Sequence, residues 1–391
     1  MHRTRSIRLA MGRLCLVGAV AAVMGAPTRA ALGSPPLACG SWTIVPSPDA
    51  GSNGSTLAGV SAPSRSDVWA VGSSFTGTVY RTLAEHWNGS AWAVVGTPNA
   101  GSGTNVLNSV VATSSNDAWA VGFYDDGSTF RTLAMHWNGI SWALVATPNV
   151  GAGENVLESV SVAALGDLWA VGYRQDSFET PRQTLALHWE GSAWSVVTTP
   201  NGTGDNYLWN VRARTPVDVW AVGSYSAPWF QTLAEHWDGT SWAVVPTPNL
   251  GNGDNVLFDA VPLNASQAVA VGTWLDGNQT ATLTQYWNGS AWKAVPSPSP
   301  AGYLNFLTGA AGSGPTDIWA VGWAGSAPFA STRTLAEHWD GHRWTVAPTP
   351  NMGTGSNQLA SVAQVFQTAA FVAVGSFERN GVQHTLTEFR C

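Results

Sequence analysis

The phrase Asp-Val-Trp-Ala-Val-Gly at 67–72 returns as Asp117–Gly122, Asp167–Gly172, Asp218–Gly223, Gln267–Gly272, Asp317–Gly322 and, degraded, Ala370–Gly375. A second phrase, 82–92 (Thr-Leu-Ala-Glu-His-Trp-Asn-Gly-Ser-Ala-Trp), follows the first, with copies ending at Trp142, Trp194, Trp242, Trp292 and Trp344. Seven copies roughly 50 residues apart restrict the chain to a propeller or a solenoid, and secondary structure decides between them.

Each repeat reads as four short strands and no helix. In the second copy, strand a carries Leu107 and Val110, strand b is Ala118–Val121, strand c is Leu133–Trp137 and strand d starts at Trp142. Nearly every position in them is β-branched, aromatic or small, and Gly, Pro, Asn and Asp fill the gaps. Asn88-Gly89 and Asp238-Gly239 are expected to supply the positive-φ residues of tight c–d hairpin turns. Pro98, Pro148, Pro200 and Pro248 end strand d, which suits an outer edge that must not pair further. Four-stranded antiparallel units with two apolar faces must stack face to face. Radial stacking gives an all-β, seven-bladed β-propeller.

Closure is legible too. Residues 41–46 match strand d, yet no strands a to c precede them; Thr385–Cys391 match strand c and then stop. The N-terminal segment is therefore expected to complete the last blade. In this alignment Cys391 takes the position of Asn88 and Cys39 that of Gly89, so the two cysteines replace the missing c–d turn. Adjacent strands bring Cα atoms within disulfide reach there, which predicts a Cys39–Cys391 bridge. Closing so long a loop contributes about 4–5 kcal/mol in the chain-entropy model, less any strain.

Composition sets the compartment and excludes some partners. Residues 1–13 hold His2 and four Arg, Leu14–Gly25 is apolar, and small residues lead to Ala30 and Ala31. That is the layout of a secretory signal over 1–30, leaving 31–391 as the propeller. The apolar run is too short to span a bilayer, and Cys15 inside it leaves with the signal. Export is consistent with an oxidised cysteine pair. Five of the 17 Lys+Arg fall in the first 30 residues and none of the 24 acids does, so the remainder carries 12 cations and a net charge of −12. Such a surface repels phosphate backbones and excludes nucleic acid. A monomer is expected.

Across its whole propeller region the chain resembles secreted seven-bladed propellers of the kelch and galactose-oxidase-like kind. It lacks the kelch Gly-Gly doublet, since Gly72 is followed by Ser73. The c–d turn, as in Trp237-Asp238-Gly239-Thr240-Ser241-Trp242, is similar to a shortened Asp-box of sialidase-type propellers. The resemblance implies architecture; fold alone does not choose an activity.

The recurrent polar residues read as structural. His86, His136, His188, His236 and His338 share a repeat position with Tyr286 and Phe389, which is how a packed aromatic slot behaves. Equivalent positions on successive blades lie too far apart to share a metal shell. The Asp opening the first phrase is expected to bond backbone N–H groups of the a–b turn. The d–a loops repeat Asn-x-Gly-x-Gly-x-Asn, and Glu154, Asp205 and Asp254 offer one carboxylate each, too few for Ca²⁺. No cofactor or metal is expected, and no phosphate loop, nucleophile elbow or zinc spacing occurs.

Positions that vary between blades point to a ligand. The residue after the strand-a Leu is Ala58, Asn108, Glu158, Trp209, Phe258, Thr308 and Ala360 in turn; the next is Gly59, Ser109, Ser159, Asn210, Asp259, Gly309 and Ser361. With strand a innermost, Asn108, Glu158, Trp209, Phe258 and Asp259 are expected around the channel mouth. The b–c loops on that face bring Tyr124, Tyr173, Tyr225, Trp229, Trp274 and Trp323, beside Asp126, Asp176 and Glu378. Exposed aromatics stack on sugar rings while carboxylates accept hydroxyl hydrogen bonds. These features predict an extracellular, non-catalytic binding propeller for glycans or cell-envelope polysaccharide. The alternatives are a protein-docking scaffold and a secreted enzyme on the same face. For glycoside chemistry Glu158 and Asp259 would be the acid–base pair; a kelch-type oxidase would need a Tyr/His copper site, which the sequence does not place.

Overall fold

The computed structural model describes residues 40–326 and 331–391. Its 28 strands form seven four-stranded antiparallel sheets. In blade 2 the strands a to d are Asn105–Ser114, Asp117–Asp125, Phe130–Trp137 and Trp142–Val145. Blade 1 starts at Ser55, and blades 3 to 7 start at Asn155, Asn206, Asn255, Leu304 and Asn357. The seventh sheet takes its outer strand from the other end of the chain: Thr43 pairs with Phe389 and Ile44 with Glu388. The Gly40 amide donates to the Cys391 carbonyl at 3.1 Å, and the Val45 amide to Thr387 at 3.0 Å. The molecule is a seven-bladed β-propeller closed by its N-terminal strand. Cys39 and the predicted signal at 1–30 lie outside the described residues. No helix among those described is long and apolar enough to cross a membrane.

The cores lie between blades, as two apolar faces per sheet demand. Trp69, Val71 and Ala84 of blade 1 pack on Leu107, Leu133 and Trp142 of blade 2, and Trp69 meets Trp142 edge-on at 5.2 Å between ring centroids. Edge-to-face geometry is the favoured arrangement for such rings. The Gly of every first phrase has a steric cause. Strand a bulges between Leu57 and Gly59, and a Cβ on Gly72 would sit 1.9 Å from the Thr56 carbonyl oxygen. Only glycine lets strands a and b approach there.

The c–d turns differ from the expectation. Trp87 pairs with Trp92, so the loop has four residues; Gly89 alone takes a positive φ (95°), while Asn88 does not. Asn88 instead accepts the Ser90 and Ala91 amides on its Oδ1, both at 3.0 Å. Asp238 does the same for Thr240 and Ser241. With two more residues than a tight hairpin, the turn is held by a side-chain oxygen.

Candidate functional site

The recurrent polar residues are framework, though partly by another bond than expected. Trp69 lies opposite His86 across strands b and c, which places Asp67 diagonal to His86 on the same face. His86 Nε2 bonds Asp67 Oδ1 at 2.8 Å, and its ring packs on Trp69 at 4.5 Å. The same pair forms in blades 2, 3, 4 and 6. The first-phrase Asp therefore holds a histidine and not the turn amides, because the sheet register brings the imidazole closer. In the d–a loops Asn99 accepts the Thr82 amide and Asn105 accepts the Ala100 amide. Glu154 is taken by Arg182 at 2.7 Å, Asp205 by the Arg182 amide and Asp254 by the Phe230 amide.

A second framework feature carries no legible sequence warning. Glu85, Glu235, Glu337 and Glu388 share one slot of strand c, are sealed from solvent, and find no hydrogen-bond partner among the described residues. Burial pushes their carboxyls up to about 9 for Glu85 and Glu337 and about 8 for Glu235 and Glu388; for Glu85 the neighbouring Asp49 adds to it. Strongly perturbed carboxyls often mark active sites. Here the slot is Glu in blades 1, 4, 6 and 7 and Met135, Leu187 and Gln285 in the other three, and none of the four borders the loop-face pocket described below. In blade 5 Gln285 donates from Nε2 to the Pro248 carbonyl of the preceding blade at 2.8 Å. The slot is a neutral interface position.

The expected channel residues are mostly enclosed. Asn108 donates to the Leu157 carbonyl of the next blade at 2.9 Å. Trp209 is 2% exposed and stacks on Tyr207, with centroids 4.9 Å apart and planes within 8°; Phe258 packs beside it. Asp259 accepts the amides of Ala260 (2.8 Å) and of Ala310 in the next blade (3.0 Å), and binds Arg212 at 3.2 Å. Glu158 is buried beside Tyr173, whose hydroxyl is pushed well above the usual range by burial and by the Glu158 and Glu154 carboxylates. Among the b–c aromatics, Trp323 is buried and stacked on Phe306 at 4.2 Å. Tyr124 and Trp274 pack against interblade cores, while Tyr225 leans on Gly202 and reaches Gln231. Trp229 alone of the six is exposed, at 44%.

The opening lies elsewhere on that face. Register pairs the residue before the strand-a Leu with the residue after the strand-b Gly, one such pair per blade. The pairs are Val106/Phe123, Val156/Tyr173, Tyr207/Ser224, Val256/Thr273 and Phe306/Trp323 in blades 2 to 6. In blades 1 and 7 they are Thr56/Ser73 and Gln358/Ser376. Large apolar groups fill the mouth from blades 3 to 6, with Trp209, Phe258 and Phe306 in one cluster. At the seam of blades 7 and 1 small polar groups leave a pocket of about 190 Å³. Its wall holds Thr56, Ser73, Gln358 and Ser376, with Phe75 and Tyr80 on one side and Glu378 on the other. Phe75 and Tyr80 lie 5.0 Å apart. Sequence reasoning missed this pocket because it followed the residues after the strand-a Leu; the signal was one position earlier. The opposite end of the channel is wider, about 470 Å³, and lined mainly by Val, Ala and Pro.

This geometry defines a ring-closed propeller with a polar pocket at its closure seam. No family model matches the chain, and no curated protein sequence matches it. Solved structures do. A structure described as YCF48 bound to D1 peptide is similar at 14% identity and a TM-score of 0.55, covering 91% of this chain and 98% of its own. YCF48 from Cyanidioschyzon merolae is similar at 14% identity and a TM-score of 0.53, over 90% and 99%. At that identity the likeness is one of fold.

Proposed function

We propose that this chain is an exported, non-catalytic binding propeller that recognises glycan through its loop face. The observation that carries the reading is the seam pocket, where hydroxyl and amide groups stand with two aromatic rings in one lining. Ligand sites combine an apolar wall with a few placed polar groups in this way. Trp229 and Phe178 are exposed b–c loop aromatics available to a longer ligand on the same face. The non-catalytic reading is supported by Asp259, whose oxygens are committed to Arg212 and two amides, so it is poorly placed to serve as acid or base with Glu158. Kinship with kelch-like propellers belongs to the same proposal and rests on strand cadence.

A second reading, a peptide or protein ligand, is favoured by two observations. One structural neighbour is described as bound to a peptide, and most loop-face aromatics turn inward, leaving few flat platforms for sugars. A glycan array run beside a peptide panel separates the two. Glycan signals support the first reading; peptide signals alone replace it with the second.

Export and the Cys39–Cys391 bridge are part of the proposal. Support comes from the signal-like segment and from Gly40 lying hydrogen-bonded to Cys391. Mass spectrometry of secreted protein should find a chain cleaved near Ala30 with one disulfide; free thiols on both cysteines would remove the bridge.

A further inference from the structure

We propose that the pocket between blades 7 and 1 receives a single uncharged sugar ring, and that it excludes acidic sugars. The inference rests on the glycan reading above and deepens it by naming the site and the ligand's charge.

Size comes first. At about 190 Å³ the pocket is smaller than the ~300–1,000 Å³ typical of drug-sized ligands, so one ring is the scale it accepts. Charge comes next. Among the described residues no Lys, Arg or His borders it, whereas Glu378 does. Glu378 forms no ion pair among the described residues. A carboxylate accepts hydrogen bonds from ligand hydroxyls, and charge-assisted bonds of this kind are the strong ones. The same carboxylate repels a uronate, phosphate or sulfate brought beside it without a cation. Shape completes the argument. Phe75, half-buried and packed on Tyr80, gives an apolar wall for the C–H face of a ring. Gln358 and Ser376 sit opposite, with the Gln358 amide anchored to Thr332 at 3.4 Å.

The repeat supplies its own control. Blade 6 carries Phe306 and Trp323 in the slots that blade 7 fills with Gln358 and Ser376, and there the two rings stack with centroids 4.2 Å apart. The double variant Gln358→Phe/Ser376→Trp copies a pair this architecture already accommodates.

The test starts with the wild-type chain on a glycan array, followed by calorimetric titration with the best neutral oligosaccharide and with its glucuronate-terminated counterpart. Neutral ligand should bind at least tenfold tighter than the acidic one. The double variant should lose binding tenfold or more while keeping its Tm, and Ile140→Ser, on a c–d turn remote from the pocket, should bind like wild type. Should the double variant not fold, Glu378→Gln is the second arm; it should bind neutral sugar less tightly and narrow the neutral-over-acidic ratio. Glycan binding that survives in a folded double variant, or that is indifferent to Glu378→Gln, overturns the pocket while the glycan reading stands. Preference for the acidic ligand overturns the charge argument. Absence of any glycan signal from wild type overturns both.

Discussion

The loop face presents two halves of one ring built from the same repeat. From blade 3 to blade 6 its inner slots carry Tyr173, Tyr207, Trp209, Phe258, Phe306 and Trp323, which close over one another. Across the seam of blades 7 and 1 the same slots carry Thr56, Ala58, Ser73, Gln358, Ala360 and Ser376, and the face opens. Backbone register is identical in both halves, so the difference is one of side-chain volume and polarity alone. Aromatic residues on a binding face are therefore not by themselves the binding surface. In this ring they serve as filler, and the gap they leave is the candidate site.

The largest effect expected concerns the buried carboxyls, two flanking the seam (Glu85, Glu388) and two in the filled half (Glu235, Glu337). Their folded pKa values, raised to about 8–9, lie above the ordinary 4.5 of an unfolded chain. The stability they confer is present in full below that lower value and is lost as pH rises through 8–9. Each site contributes at most about 1.4 kcal/mol per pH unit across the window. Thermal melts from pH 5 to pH 9 should show Tm falling steadily. Replacing either pair by Gln, the residue blade 5 already uses at Gln285, should flatten the profile and raise Tm at pH 8. If the seam pair flattens it much less than the other, the open half is wetter inside than its burial indicates.

Next in size is Trp209→Ala, which empties a fully buried slot and should cost about 3–5 kcal/mol in denaturant unfolding. Gln358→Ala, on the wall of the open half, should stay within about 1 kcal/mol. Equal costs would break the contrast between filler and opening. Asp259→Ala leaves the Ala310 amide without its acceptor and should cost about 1–3 kcal/mol, tempered because Arg212 reaches water. The smallest effect is that of Trp229→Ala, which should change stability by less than about 0.5 kcal/mol because the ring is exposed. Calorimetry of the four variants under one buffer ranks them.

Most of the architecture was readable from the chain. The recurrence of Trp-Ala-Val-Gly and of His-Trp marks strands b and c, and the unmatched Trp42 segment marks the closing strand, found opposite Phe389. The site was less legible. Asn108, Trp209, Phe258 and Asp259 vary from blade to blade, as ligand contacts do, yet they vary because each must fit a different neighbour in the next blade. The buried glutamates look exposed in sequence, since Glu precedes His in a strand that alternates; both faces of that strand are covered by adjacent blades.

The number of blades, the strand order and the ring closure could be read from the chain, because they follow from local patterns repeated along it and from the lone outer strand at one end that matches the three-strand blade at the other. Which loop-face side chains turn inward, and where space remains, emerged only from the packed blades. That outcome depends on contacts between residues some 50 positions apart, on neighbouring blades converging on one axis, where a large ring from one blade occupies room that the next cannot use.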